Sequence, residues 1–103
     1  MREQVSELLK LGPMPGYEDD TTADEVKAYQ DLLQSITPPV TDEEAKAMMT
    51  LFGPDDFYGL AWTMAHLIES APGWPIEECL RGEDEWAELL RARADAARAR
   101  ESN

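Results

Sequence analysis

The chain is poor in the residues that carry most chemistry: it has one cysteine, Cys79, and one histidine, His66. A single cysteine excludes an internal disulfide and suits a reducing, cytoplasmic compartment. Isoleucine and valine together number six, and they are scattered. No segment alternates apolar and polar residues with β-branched side chains, so no sheet is expected. No apolar run approaches the roughly 20 residues that span a bilayer. The opening Met-Arg-Glu-Gln-Val has no apolar signal core, so secretion is not expected either. Basic residues are scarce in the middle, where only Lys27 and Lys46 lie between residues 11 and 80.

Acidic residues are abundant in that span. It holds 14 Asp and Glu, and so carries −12 of the chain's net −13. The first ten residues sum to zero, and the last 23 set five arginines against six acids. Such a field repels phosphate backbones and anionic membrane surfaces, which disfavours nucleic-acid and membrane binding. It attracts and steers a basic protein partner, and it also serves solubility. The first use requires the charge to gather on one exposed patch. The 103 residues suit one domain over 1–103, and 43% apolar with 30% charged residues is globular composition.

Seven prolines, at 13, 15, 38, 39, 54, 72 and 75, divide the chain into segments of helical period. Residues 2–11 predict a first helix, stopped by Gly12-Pro13. An acidic loop containing Glu18, Asp19 and Asp20 follows. Thr22-Ala-Asp-Glu25 fits a capping box for a second helix with Val26, Tyr29, Leu32, Leu33 and Ile36 facing the core. Thr41-Asp-Glu-Glu44 fits a second box, and Ala45, Met48, Met49 and Phe52 make the apolar face of a third helix. Gly53 reads as its left-handed cap. A fourth helix is expected from Asp55 or Asp56 to about Ser70. Residues 71–82 read as a turn-rich connection with one helical turn at 76–80. A last helix runs from Glu83 to about Arg100, with residues 98–103 expected to fray. The fold expected is all-α, a compact bundle of about five helices around a central apolar helix at about 55–70.

On a helical wheel Phe57, Leu60, Ala61, Met64 and Ile68 cluster within about 100°, with Leu67 beside them. Tyr58, Trp62, His66 and Glu69 form an adjacent stripe. The stripe either packs on the last helix through Trp86 and Leu90, or stays part-exposed as a recognition face. Asp55 and Asp56 sit at the head of this helix, and Gly59 inside it suggests a close helix–helix approach. Trp74, after Pro72-Gly73, either anchors a homodimer or folds back on the core. Trp62 and Trp74 together suggest an aromatic pocket for a small molecule.

Chemical readings centre on His66. His66 and Glu69, three apart, have chelating spacing, and Glu77, Glu78 and Cys79 are further conceivable ligands. A Cys79–His66 nucleophilic pair is conceivable but has no flanking motif. No calcium-loop spacing and no glycine-rich phosphate loop is present. No catalytic residue, metal or cofactor is therefore assigned. The binding candidates are Tyr58, Trp62, His66, Glu69, Asp55, Asp56, Trp74, Glu18, Asp19 and Asp20.

The run Leu51-Phe-Gly-Pro-Asp-Asp56, Tyr58-Gly-Leu-Ala-Trp62, His66-Leu-Ile-Glu69 and Ala71-Pro-Gly-Trp74 resembles small, acidic, uncharacterised bacterial proteins of the actinobacterial kind. Its helix–turn–helix with an Asp-rich turn also resembles one HEAT-type helical hairpin. HEAT-like helical proteins include some immunity proteins that neutralise toxins, so the resemblance implies a binding role. No functional residue carries over from it. Together these readings favour a non-enzymatic module that binds a basic protein, in the manner of an immunity-type toxin inhibitor.

Overall fold

A computed structural model describes residues 1–16, 21–82 and 84–101. The expected Glu18, Asp19 and Asp20 of the acidic loop lie outside the described residues. The described chain is all-helical. Its helices are α1 (Glu3–Leu11), α2 (Ala23–Ser35), α3 (Asp42–Met48), α4 (Leu60–Glu69), α5 (Glu77–Leu80) and α6 (Glu85–Glu101). A 3₁₀ turn, Met49–Leu51, extends α3. The single turn foreseen at 76–80 is α5, which raises the helix count to six. None of these helices is long and apolar enough to cross a membrane.

Local chemistry explains most boundaries. Thr22 caps α2 by accepting from the Glu25 backbone N–H at 3.2 Å, while the Glu25 side chain stays exposed. Thr41 and Glu44 form the full reciprocal box at the head of α3, with bonds of 3.1 and 2.9 Å. Asp84 caps α6 by accepting from the Ala87 N–H at 2.7 Å.

The head of α4 departs from expectation. The helix begins at Leu60, four or five residues later than the Asp-Asp pair suggests. Residues 56–59 form a turn closed by the Gly59 N–H on the Asp56 carbonyl at 3.0 Å. Phe57 and Tyr58 both take positive φ there, at 44° and 57°, and Gly59 follows at 85°. The reason is burial. The turn drives Phe57 fully into the core, edge-on to Tyr29 with ring centroids 5.5 Å apart. Gly59 therefore serves backbone conformation, not close packing, since a Cβ there would meet nothing within 4 Å.

Gly53 reverses the same way. It is not in the left-handed region, where the described glycines are Gly12 and Gly59. A Cβ on Gly53 would overlap the Met14 carbonyl. The Met14 N–H donates to the Leu51 carbonyl at 2.9 Å, so the α1–α2 connection lies directly on the chain leaving α3.

Core residues from every helix meet around α4, whose Leu60, Ala61, Met64, Ala65, Leu67 and Ile68 are all buried. Helices α2 and α3 pack on α4, α1 packs on α2 and α3, and α5 joins α3 to α6. Helix α6 contributes Trp86, Ala87, Leu90 and Ala94. Beyond Ala94 it remains helical through Glu101, with residues 95–100 exposed.

Candidate functional site

The turn at 56–59 disperses the expected stripe. Tyr58 falls outside α4 and is 58% exposed, beside Val26, Lys27 and Asp31 of α2. His66 is also exposed, on a groove with Ile36 and Pro38 after α2. Trp62 is 36% exposed and meets Trp86 edge-on, with centroids 5.1 Å apart and planes at 74°. Trp86 in turn stacks on Phe52 at 4.8 Å, with planes 10° apart. Glu69 is bound by Arg93 of α6: the Arg93 Nε donates at 3.0 Å and Nη2 at 2.9 Å, one to each carboxylate oxygen. The Arg93 guanidinium also lies 5.9 Å from the centroid of Trp62. Trp62 thus packs on α6, while Tyr58 and His66 face outward.

Where α4 and α6 begin, a cleft of about 270 Å³ opens. Its walls are Trp62, Trp86, Leu89 and Pro54, and its carboxylates are Asp55, Asp56 and Glu85. Pro54 breaks the chain after the 3₁₀ turn, and the left-handed turn then swings α4 away from the Asp-Asp pair. The Asp84 cap starts α6 so that Glu85, Trp86 and Leu89 of its first turns face this opening. Asp55 is fixed in the turn, accepting from the Phe57 N–H at 2.9 Å. Three carboxylates beside two indoles suit a cationic side chain: the charge meets the carboxylates and its alkyl stem meets the rings.

Sequence reasoning names Asp55, Asp56 and Trp62 for this site but not Glu85, Leu89 or Pro54. It gives Trp86 only as a possible packing partner of the stripe. Trp74 is elsewhere, half-buried against the core between α4 and α5, and it does not line the cleft.

Among the described residues the acidic charge does not form one patch. Exposed carboxylates stand on α1, α2, α3, α5 and α6. The cause is local, because each of these helices carries acids in its first turn, where they complement the helix dipole. Several are engaged within the chain: Asp31 by Lys27, Glu78 by Lys46 and Glu69 by Arg93. Asp42 accepts from the Gly73 N–H at 2.8 Å. In the cleft, three acidic residues stand beside the part-exposed Trp62 and the buried Trp86.

Among the described residues no group of three or more His, Cys, Asp or Glu side chains is placed to share a metal ion. Cys79 is buried, and burial pushes its thiol pKa up; Lys46 pulls it down, while Glu78 and Asp42 add to the rise. It lines a groove with Lys46, Met49 and Ala87, not the His66 groove. Comparisons with known protein families, curated proteins and solved structures find no match to the chain.

Proposed function

We propose that this protein is an interaction module that binds a basic protein partner, with the Trp62–Trp86 cleft taking a cationic side chain. The observation that carries the reading is the cleft itself: Asp55, Asp56 and Glu85 line the same opening as two indoles. The dispersed charge of the described residues serves solubility and gives by itself no preference for a basic partner, so the reading rests on the cleft alone. A cleft with aromatic walls adds short-range contact that works only at one place. An immunity-type inhibitor that masks the cationic surface of a toxin nuclease is the concrete form of this role, exercised in the cytoplasm.

The test compares equal charge changes at two places. One variant carries Asp56→Asn with Glu85→Gln; the control carries Asp24→Asn with Glu43→Gln on α2 and α3. Binding of a labelled octa-lysine peptide is followed by anisotropy at several salt concentrations. The cleft variant is expected to lose about tenfold in affinity and the control about twofold, on the scale of charge-assisted contacts against screened surface charge. Equal losses would leave only diffuse attraction, and affinity that ignores ionic strength would remove the electrostatic basis altogether.

A second reading, a small organic cation as ligand, draws on the same aromatic walls. It predicts quenching of tryptophan fluorescence by tetramethylammonium, abolished by Trp62→Ala.

A further inference from the structure

The proposed role leaves open which cation the partner offers, and Arg93 bears on that question. Its guanidinium engages both oxygens of Glu69 through Nε and Nη2 and rests over the exposed indole of Trp62. This is the geometry by which proteins recognise arginine: a planar fork on a carboxylate with an aromatic face beside it. An ammonium is a point charge and cannot make the paired contact. The contact is also reachable. The Arg93 side chain is 43% exposed and that of Glu69 20% exposed. Trp62 belongs at once to this contact and to the wall of the acidic cleft.

We infer that Trp62 and Glu69 form an arginine-binding site in which Arg93 is the built-in occupant, displaced when the partner supplies an arginine of its own. The inference rests on the proposed binding role and specifies its chemistry as guanidinium over ammonium. Exchange replaces one fork by another, so the Glu69 carboxylate has a guanidinium partner before and after it. Arg93 leaves for solvent from an exposed position on α6, and the buried contacts of that helix, Trp86, Leu90 and Ala94, need not move. The internal arginine then acts as a filter. A weak or lysine-based ligand does not compete with it, whereas a partner that also fills the adjacent cleft does.

The decisive variant is Arg93→Lys, which keeps the net charge and removes the fork. Labelled octa-arginine and octa-lysine peptides are titrated into the full chain, the Arg93→Lys and Arg93→Ala variants, and an Arg93→Ala/Glu69→Gln double variant. Thermal melts confirm folding in each. Arg93→Lys is expected to tighten octa-arginine binding about threefold and leave octa-lysine unchanged. Arg93→Ala should tighten octa-arginine about tenfold, the scale of a charge-assisted bidentate contact. It should tighten octa-lysine only about twofold through the lost positive charge. Adding Glu69→Gln should cancel the arginine-specific gain. Equal tightening of both peptides, or a gain that survives Glu69→Gln, overturns the inference while leaving the cleft reading to its own variants. Loss of affinity on Asp56→Asn/Glu85→Gln without any arginine preference likewise upholds the cleft and overturns the filter. If neither peptide binds any of the proteins, both readings fall.

Discussion

Arg2 and Glu44, 42 positions apart, hold the start of the chain against the head of α3. The Glu44 carboxylate accepts from the Arg2 Nε at 2.8 Å, the Arg2 Nη2 at 3.1 Å and the Arg2 backbone N–H at 3.1 Å. It also accepts from the Thr41 N–H at 2.9 Å. The rest of the guanidinium donates to the carbonyls of Thr37 and Pro39, at 2.8 and 3.0 Å. Glu44 is only 1% exposed, so its charge depends on these donors.

Burial alone would raise the Glu44 pKa. The Arg2 side-chain bonds, the backbone donors of Thr41 and Arg2, and the guanidinium charge outweigh it and hold the group at about 2 against an ordinary 4.5. The folded state therefore binds this proton more weakly than the unfolded chain. The resulting stability is present above pH ~4.5 and is lost as pH falls towards ~2, about 3 kcal/mol in all. Urea titrations between pH 7 and pH 2.5 should show that loss, and Glu44→Gln should flatten it. Arg2→Ala leaves a buried carboxylate short of its donors, so a cost of about 3 kcal/mol at pH 7 is expected.

The two glycines around the α3–α4 connection should respond differently to the same change. Gly53→Ala places a methyl on the Met14 carbonyl, a backbone atom that cannot rotate away. A loss of about 3 kcal/mol is expected, within the range for forced overpacking. Gly59→Ala meets open space and pays only for its positive φ, about 1 kcal/mol. Urea midpoints at neutral pH would rank the two. The reverse order would mean that the turn, not the approach of Met14, limits stability.

These cases separate what local sequence encodes from what it does not. The box Thr41-Asp-Glu-Glu44 is visible in four letters because its bonds close within one helical turn. The Glu44 bond to Arg2 is not, since nothing near either residue signals the other. Period puts Phe57 and Leu60 in the core, where both are buried, but read with the Asp55-Asp56 pair as a helix start it places the head of α4 too early. It cannot register that Phe57 reaches the core through a left-handed turn. At the site, the contact of Trp62 with Trp86 is legible only as one of two readings of the stripe beside the apolar face of α4, since helical spacing alone does not say whether that stripe meets another helix or solvent. Arg93 is not legible, because on α6 it counts simply as one of several arginines, and only the crossing of α4 and α6 brings it to Glu69, 24 residues back.

The aromatic cluster should divide into a structural and a surface member. Trp86 is buried between Phe52 and Trp62, so Trp86→Ala opens a cavity that α6 cannot easily close. A cost of about 3–5 kcal/mol is expected. Trp62 meets Trp86 edge-on and Arg93 over its ring but is partly solvated, so Trp62→Ala should cost about 1 kcal/mol and still fold. Thermal melts of both variants check this. A Trp62→Ala protein as unstable as Trp86→Ala would make the Trp62 ring a core element, and its use as a binding wall would then lack support.

The thiol offers a test of the chemical alternative centred on His66. A nucleophilic cysteine needs thiolate character and access. Cys79 has neither: it is 5% exposed, and burial moves its pKa above the ordinary value despite the nearby Lys46. At pH 8 the native protein should react with a disulfide reagent at least about tenfold more slowly than the urea-unfolded chain. His66→Ala should leave the native rate unchanged, because His66 lines the groove beside Ile36 and Pro38 while Cys79 lines another beside Lys46. A fast native reaction that His66→Ala slows would require the two side chains to meet, and would favour chemistry over recognition for this protein.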